Sequence, residues 1–89
     1  MDEIVDKFKH YINVVDLSGA ITYFQELDAT YDHDSIAWDY VFNKVYIHAC
    51  LKKQKEFVDW LMNMFNCLTP IEQIAVRQVF SYGKYLMTK

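Results

Sequence analysis

The chain has 89 residues, of which 53% are hydrophobic and 17% aromatic, and its formal charge is −3. That length holds one domain, residues 1–89, and the scattered charges form no basic stripe, so nucleic-acid binding is not expected. No apolar run approaches the roughly 18 residues of a membrane span, the acidic start Met1-Asp2-Glu3 is unlike a secretory signal, and two cysteines outside any disulfide pattern suit a reducing, cytoplasmic setting.

Residues 2–14 read as an amphipathic helix, with Ile4, Val5, Phe8, Tyr11, Ile12 and Val15 on one face and Glu3, Asp6, Lys7, Lys9 and His10 on the other. Val14 to Gly19 combines β-branched residues, capping residues and a glycine, which predicts a break. Asp16 or Ser18 then caps a shorter helix to about Leu27 that buries Leu17, Ala20, Ile21, Phe24 and Leu27. Asp28 to Asp34 lacks apolar periodicity and reads as a loop.

Ser35 to Lys52 is the organising stretch. Trp38, Val41, Phe42, Val45, Tyr46 and Ala49 form one stripe, and Ile36, Tyr40, Ile47 and Leu51 widen it. A helix apolar on most of its circumference must be covered on several sides, so it belongs in the middle of the core. Asp34 or Ser35 is the expected cap. After Lys52–Lys55 comes a second apolar set: Phe57, Val58, Trp60, Leu61, Met62, Met64 and Phe65. Two arrangements fit. One is a tight turn and an antiparallel hairpin; the other is a single long helix, because no Gly or Pro marks the turn and Lys and Gln favour helix.

Thr69-Pro70-Ile71-Glu72 is the best-defined helix start, a capping box with proline at the first helical position. The last helix runs to about Leu86, with Ile71, Ile74, Ala75, Val79, Tyr82 and Leu86 expected inward. Phe80, Met87 and the side of Val76 lie nearly opposite, as a second apolar strip. Gly83 either weakens this helix or admits another backbone. The expected fold is all-α, about five short helices packed as antiparallel hairpins in a small bundle or repeat-like stack.

Clusters with chemistry are sparse. Asp28, Asp32, His33 and Asp34 lack the spacing, glycine and final glutamate of an EF-hand loop. His48 and Cys50 are two apart and diverge on a helix, so with Cys67 they make poor zinc ligands; both cysteines are expected in the core. No nucleophile turn or phosphate-binding glycine loop is present, so neither catalytic residues, metal nor cofactor is expected. Met62, Met64 and Met87 beside aromatic residues suit either a core or an adaptable binding surface. Lys52, Lys53 and Lys55 suit a solvated corner.

Tyr46-Ile47-His48-Ala49-Cys50-Leu51, a short polar turn, and Phe57-Val58-Asp59-Trp60-Leu61 resemble the inner part of an ankyrin-type repeat. Thr69-Pro70-Ile71 resembles the opening of another, although Glu72 stands where that family has histidine, the glycine between the helices is missing and no 33-residue period recurs. The resemblance implies stacked helical hairpins used for protein contact. Two Trp, seven Tyr and six Phe also exceed what so small an interior hides. The expected function is therefore a non-catalytic protein-interaction module, a subunit, scaffold or adaptor that binds a protein partner or self-associates. Phe80, Tyr82, Tyr85, Met87, Phe57 and Met64 are the expected partner-facing residues. The alternative is a small acidic inhibitor, of viral or phage type, that blocks a target's surface with the Asp28–Asp34 loop.

Overall fold

In the computed structural model, which describes residues 2–88, helix α3 (Trp38–Leu51) lies in the middle and the other helices are laid around it. α1 (Asp2–Asn13) and α5 (Pro70–Thr88) both pack on α3, α5 the more extensively. α2 (Leu17–Thr30) folds back on α1, and α4 (Lys55–Met64) folds back on α3. The fold is all-α: two helical hairpins and a fifth helix, with no strand among the described residues.

The composition of α3 explains its place. Trp38, Val41, Phe42, Val45, Tyr46, Ala49 and Cys50 are all buried, and each large one contributes about 1.5–3 kcal/mol by leaving water. Phe42 stacks on Tyr46 at 5.5 Å, and Phe80 of α5 meets the two rings edge-on at 6.0 and 5.2 Å. On the other side, Phe24 of α2 meets Trp38 at 5.3 Å and Trp60 of α4 at 6.1 Å. Rings thus tie α2 and α5 to the central helix and α4 to α2.

The single long helix does not form. Lys53 takes a left-handed backbone, φ 54°; its N–H donates to the Cys50 carbonyl at 3.0 Å, and the Gln54 N–H donates to the Ala49 carbonyl at 3.1 Å. This pair of bonds is a Schellman motif, which reverses the chain while satisfying the last carbonyls of α3. The turn between α1 and α2 is built the same way. Val15 has φ 57°, its N–H donates to the Ile12 carbonyl at 3.1 Å, and the Asp16 N–H donates to the Tyr11 carbonyl at 2.8 Å. Val15 is therefore exposed in the turn rather than on the inner face of α1. Asp16 caps α2 as expected, its Oδ1 accepting the Gly19 N–H at 2.9 Å.

Asp34 and Ser35 do not cap α3. They belong to a short 3₁₀ turn, His33–Ser35, and α3 begins at Trp38 after Ala37, with no side-chain cap. Ile36 and Trp38 are both buried while Ala37 is exposed. Residues two apart share a face on an extended chain and not on a helix, so burial of both delays the helix. α2 also runs to Thr30 rather than Leu27, which shortens the aspartate-rich loop.

The capping box of α5 forms: the Thr69 N–H donates to Glu72 Oε1 at 2.9 Å and the Glu72 N–H donates to Thr69 Oγ1 at 3.3 Å. The inward face of this helix differs from expectation. Val76, Val79, Gly83 and Leu86 are buried and Phe80 and Met87 pack on the core, whereas Ala75 is exposed and Ile71, Ile74 and Tyr82 are 81%, 67% and 50% exposed. Gly83 sets this rotation. A Cβ there would stand 2.5 Å from Tyr46 Cε1 and 2.9 Å from Cys50 Sγ, so α5 lays bare backbone against α3.

Candidate functional site

α4 and α5 both rest on α3 but scarcely on each other, which leaves an open groove of about 390 Å³ between them. Buried Tyr46, Val58 and Gly83 lie at its base, with half-buried Phe80 beside them. Met62, 49% exposed, comes from α4 and Met87 from α5. Lys55, Asp59 and Lys84 add charge along the groove, two cations against one anion. The volume lies within the range of about 300–1,000 Å³ common for binding clefts. Two flexible thioethers let such a surface refit to different side chains. Burial, with Cys50 nearby, pushes the Tyr46 hydroxyl up to about 12, and burial likewise raises the Cys50 thiol. Both groups therefore stay protonated near neutral pH.

The six residues expected to face a partner separate. Phe80 and Met87 line the groove. Tyr82 and Tyr85, 50% and 57% exposed, lie on the outward side of α5. Phe57 and Met64 are buried, Phe57 to 1% exposure, and so do not face a partner. They share the face of α4 that carries Leu61, at three- and four-residue spacing, and that face points into the core. Met62 follows Leu61 by one residue and so turns away from the core; that spacing was legible in the chain. Lys55, Asp59 and Lys84 had no such signal, because only the meeting of two helices makes them neighbours.

Elsewhere the polar residues act as ties. His33 Nε2 lies 2.6 Å from Glu72 Oε1 and joins the short loop to the start of α5. Burial would raise the Glu72 carboxyl, but the Thr69 N–H and His33 outweigh it and hold the carboxyl below its usual range. A cavity of about 80 Å³ beside His33, lined by Phe24, Asp28, Trp38, Met64 and Leu68 among others, has room only for a few waters. His48 Nε2 meets Asn13 Oδ1 at 2.8 Å. Cys50 is buried, while Cys67 is exposed rather than in the core, because the 3₁₀ turn Phe65–Cys67 carries it to the surface. Among the described residues, no three His, Cys, Asp or Glu side chains converge to hold a metal ion, and no helix is long and apolar enough to cross a membrane.

Comparison with known families, curated proteins and solved structures finds no match for this chain.

Proposed function

We propose that this protein is a non-catalytic interaction module that takes an amphipathic helix of a partner protein into the groove between α4 and α5. The observation that carries this reading is the groove itself: an open apolar cleft edged by Met62, Phe80 and Met87. Helix-in-groove recognition uses apolar anchors at three- and four-residue spacing. Two lysines against one aspartate favour a partner helix with acidic residues beside those anchors. The stacked hairpins implied by the ankyrin-type resemblance belong to the same reading, and two free thiols suit a reducing cytoplasm.

The test is recovery of the partner from the protein's own cell with three forms of the bait. Wild type should retain the partner, Met62→Glu should lose it, and Ile74→Glu, on the far side of α5, should keep it. Met62 and Ile74 are both exposed, so neither change opens the core. Retention by Met62→Glu would defeat the groove as the docking site.

A further inference from the structure

We propose that the end of the bundle where the two hairpin turns meet docks on an anionic membrane surface. Val14, Val15 and Leu51 enter the headgroup layer, and Lys9, Lys52 and Lys53 beside them meet the acidic lipids. This docking needs no spanning helix, and it stands apart from the groove reading above.

Hydrogen bonds between neighbouring elements define the two ends. α1 and α3 run the same way. Where they start, the Tyr40 hydroxyl donates to Asp2 Oδ1 at 2.7 Å. Where they finish, His48 Nε2 meets Asn13 Oδ1 at 2.8 Å and Gln54 Nε2 donates to the Ile12 carbonyl at 3.0 Å. The two turns therefore stand side by side. Val14, Val15 and Leu51 are 54%, 67% and 57% exposed there. Lys9 and Lys52 both lie near enough to act on the His48 imidazole, and Lys53 is the turn residue itself.

Charge separates along this axis. Lys9, Lys52, Lys53 and Lys55 gather at the turn end, against Asp16 and Glu56. The Asp16 carboxylate is engaged in capping α2. Asp2, Glu3, Asp28, Asp32, Asp34 and Asp39 gather at the opposite end, against Lys44. A chain of net charge −3 thus carries one cationic end. Before an anionic plane, this asymmetry points the valines at the surface and the aspartates away from it.

Val15 supplies an independent observation. A β-branched residue at φ 57° is a conformational outlier, and its exposed side chain gains no packing in return. Strain of this kind collects at functional positions. A contact outside the chain gives that side chain a use.

Size and chemistry select the lipid. The three aliphatic side chains expose roughly 300 Å², short of the about 800 Å² that a protein interface covers on each side. A nucleic-acid backbone would engage the lysines and leave the aliphatic tips in water. A headgroup layer takes both, since it admits a small apolar tip and attracts each lysine near it.

Co-sedimentation of the full chain with vesicles tests this, at about 2 mM lipid, either neutral phosphatidylcholine or the same with about 30% phosphatidylserine. The chain should bind the mixed vesicles and not the neutral ones, and binding should fall about tenfold or more between about 0.05 and 0.5 M salt. Lys52→Glu combined with Lys53→Glu should weaken it about twentyfold or more. Val15→Gly and Leu51→Ser should each weaken it about three- to tenfold with circular dichroism unchanged. Val15→Gly relieves the turn, so its loss of binding does not come from unfolding. Ile71→Ser, 81% exposed at the start of α5 where His33 and Glu72 meet, should bind as wild type. Failure to bind the mixed vesicles overturns the proposal, as does equal binding to neutral ones. Binding undiminished by both Val15→Gly and Leu51→Ser overturns it too, because the lysines alone would then adhere to any acidic surface, an acidic protein included.

Discussion

The hairpin α1–α2 and the hairpin α3–α4 reverse the chain in the same way, yet they use opposite residues to do it. Val15 in the first and Lys53 in the second hold the left-handed position at which glycine is commonest. The chain's two glycines sit elsewhere, both inside helices with ordinary backbone. Gly19 lies where a Cβ would stand 2.5 Å from Asp16 Oδ2 and 2.7 Å from Tyr11 Cε1; Gly83 lies against Tyr46 and Cys50. Both hairpin turns thus make do without a glycine, while the glycines of α2 and α5 serve packing. Glycine is placed where a side chain has no room, and strain is accepted where a side chain can point into water.

Filling the glycines should have the largest effects. Gly83→Ala places a methyl against the Tyr46 ring and the Cys50 sulfur, and Phe80 already meets the Tyr46 ring edge-on. Overpacking costs about 1–3 kcal/mol, against a helix-propensity gain of up to about 1 kcal/mol. The expected outcome is a net loss of about 1–2 kcal/mol in urea unfolding. A gain would mean that α5 does not rest on α3 at Gly83. Gly19→Ala should cost about 1 kcal/mol, because its methyl displaces the Asp16 carboxylate from the first turn of α2. Asp16→Ala alone should reproduce most of that loss, and the double variant should add little to it.

The reverse substitutions at the turns sharpen the contrast. A left-handed residue other than glycine costs about 1–2 kcal/mol, partly offset by the extra freedom glycine brings to the unfolded chain, about 0.5–1 kcal/mol. Val15→Gly should therefore stabilise by about 0.5–1 kcal/mol, and Lys53→Gly by somewhat less, since valine is branched next to the backbone and lysine is not. Thermal unfolding of the two variants side by side decides the order; a loss from both would refute the strain argument.

The same contrast explains what was legible in the chain. Apolar spacing marked every helix, and the Thr69–Glu72 box marked the start of α5 within a residue. The end of α3 was ambiguous because turn chemistry is read from glycine, and Lys53 carries none of that signal. The rotation of α5 was misjudged by following the most hydrophobic side chains, Ile71 and Ile74, rather than the one residue that lacks a side chain. Taking Gly83 as the contact point puts Val76, Val79, Phe80, Leu86 and Met87 inward and leaves the isoleucines in water. The groove was only half visible, since α4 supplied Met62 by its spacing but the gap depends on how two distant helices lean on a third.

The smallest effect concerns the place where the two hairpin turns touch. Gln54 Nε2 donates to the Ile12 carbonyl at 3.0 Å, and His48 bonds Asn13 one residue further on, so each turn helps satisfy the other. Burial, reinforced by Lys9 and Lys52, holds the His48 imidazole below its ordinary value of 6.5. The folded state therefore favours neutral His48, while the unfolded chain takes up a proton near 6.5. Stability from this site is complete above that pH and declines as pH falls through it toward the lower folded value. The Glu72 carboxyl, held below its usual range, begins to cost stability only near pH 4 and lower, so the two limbs separate. His48→Gln keeps a partner for Asn13 and removes the proton uptake. Urea midpoints measured from pH 7.5 to 5.5 should fall for wild type and fall less for the variant. Parallel curves would mean that the junction of the two turns does not sense the proton at all.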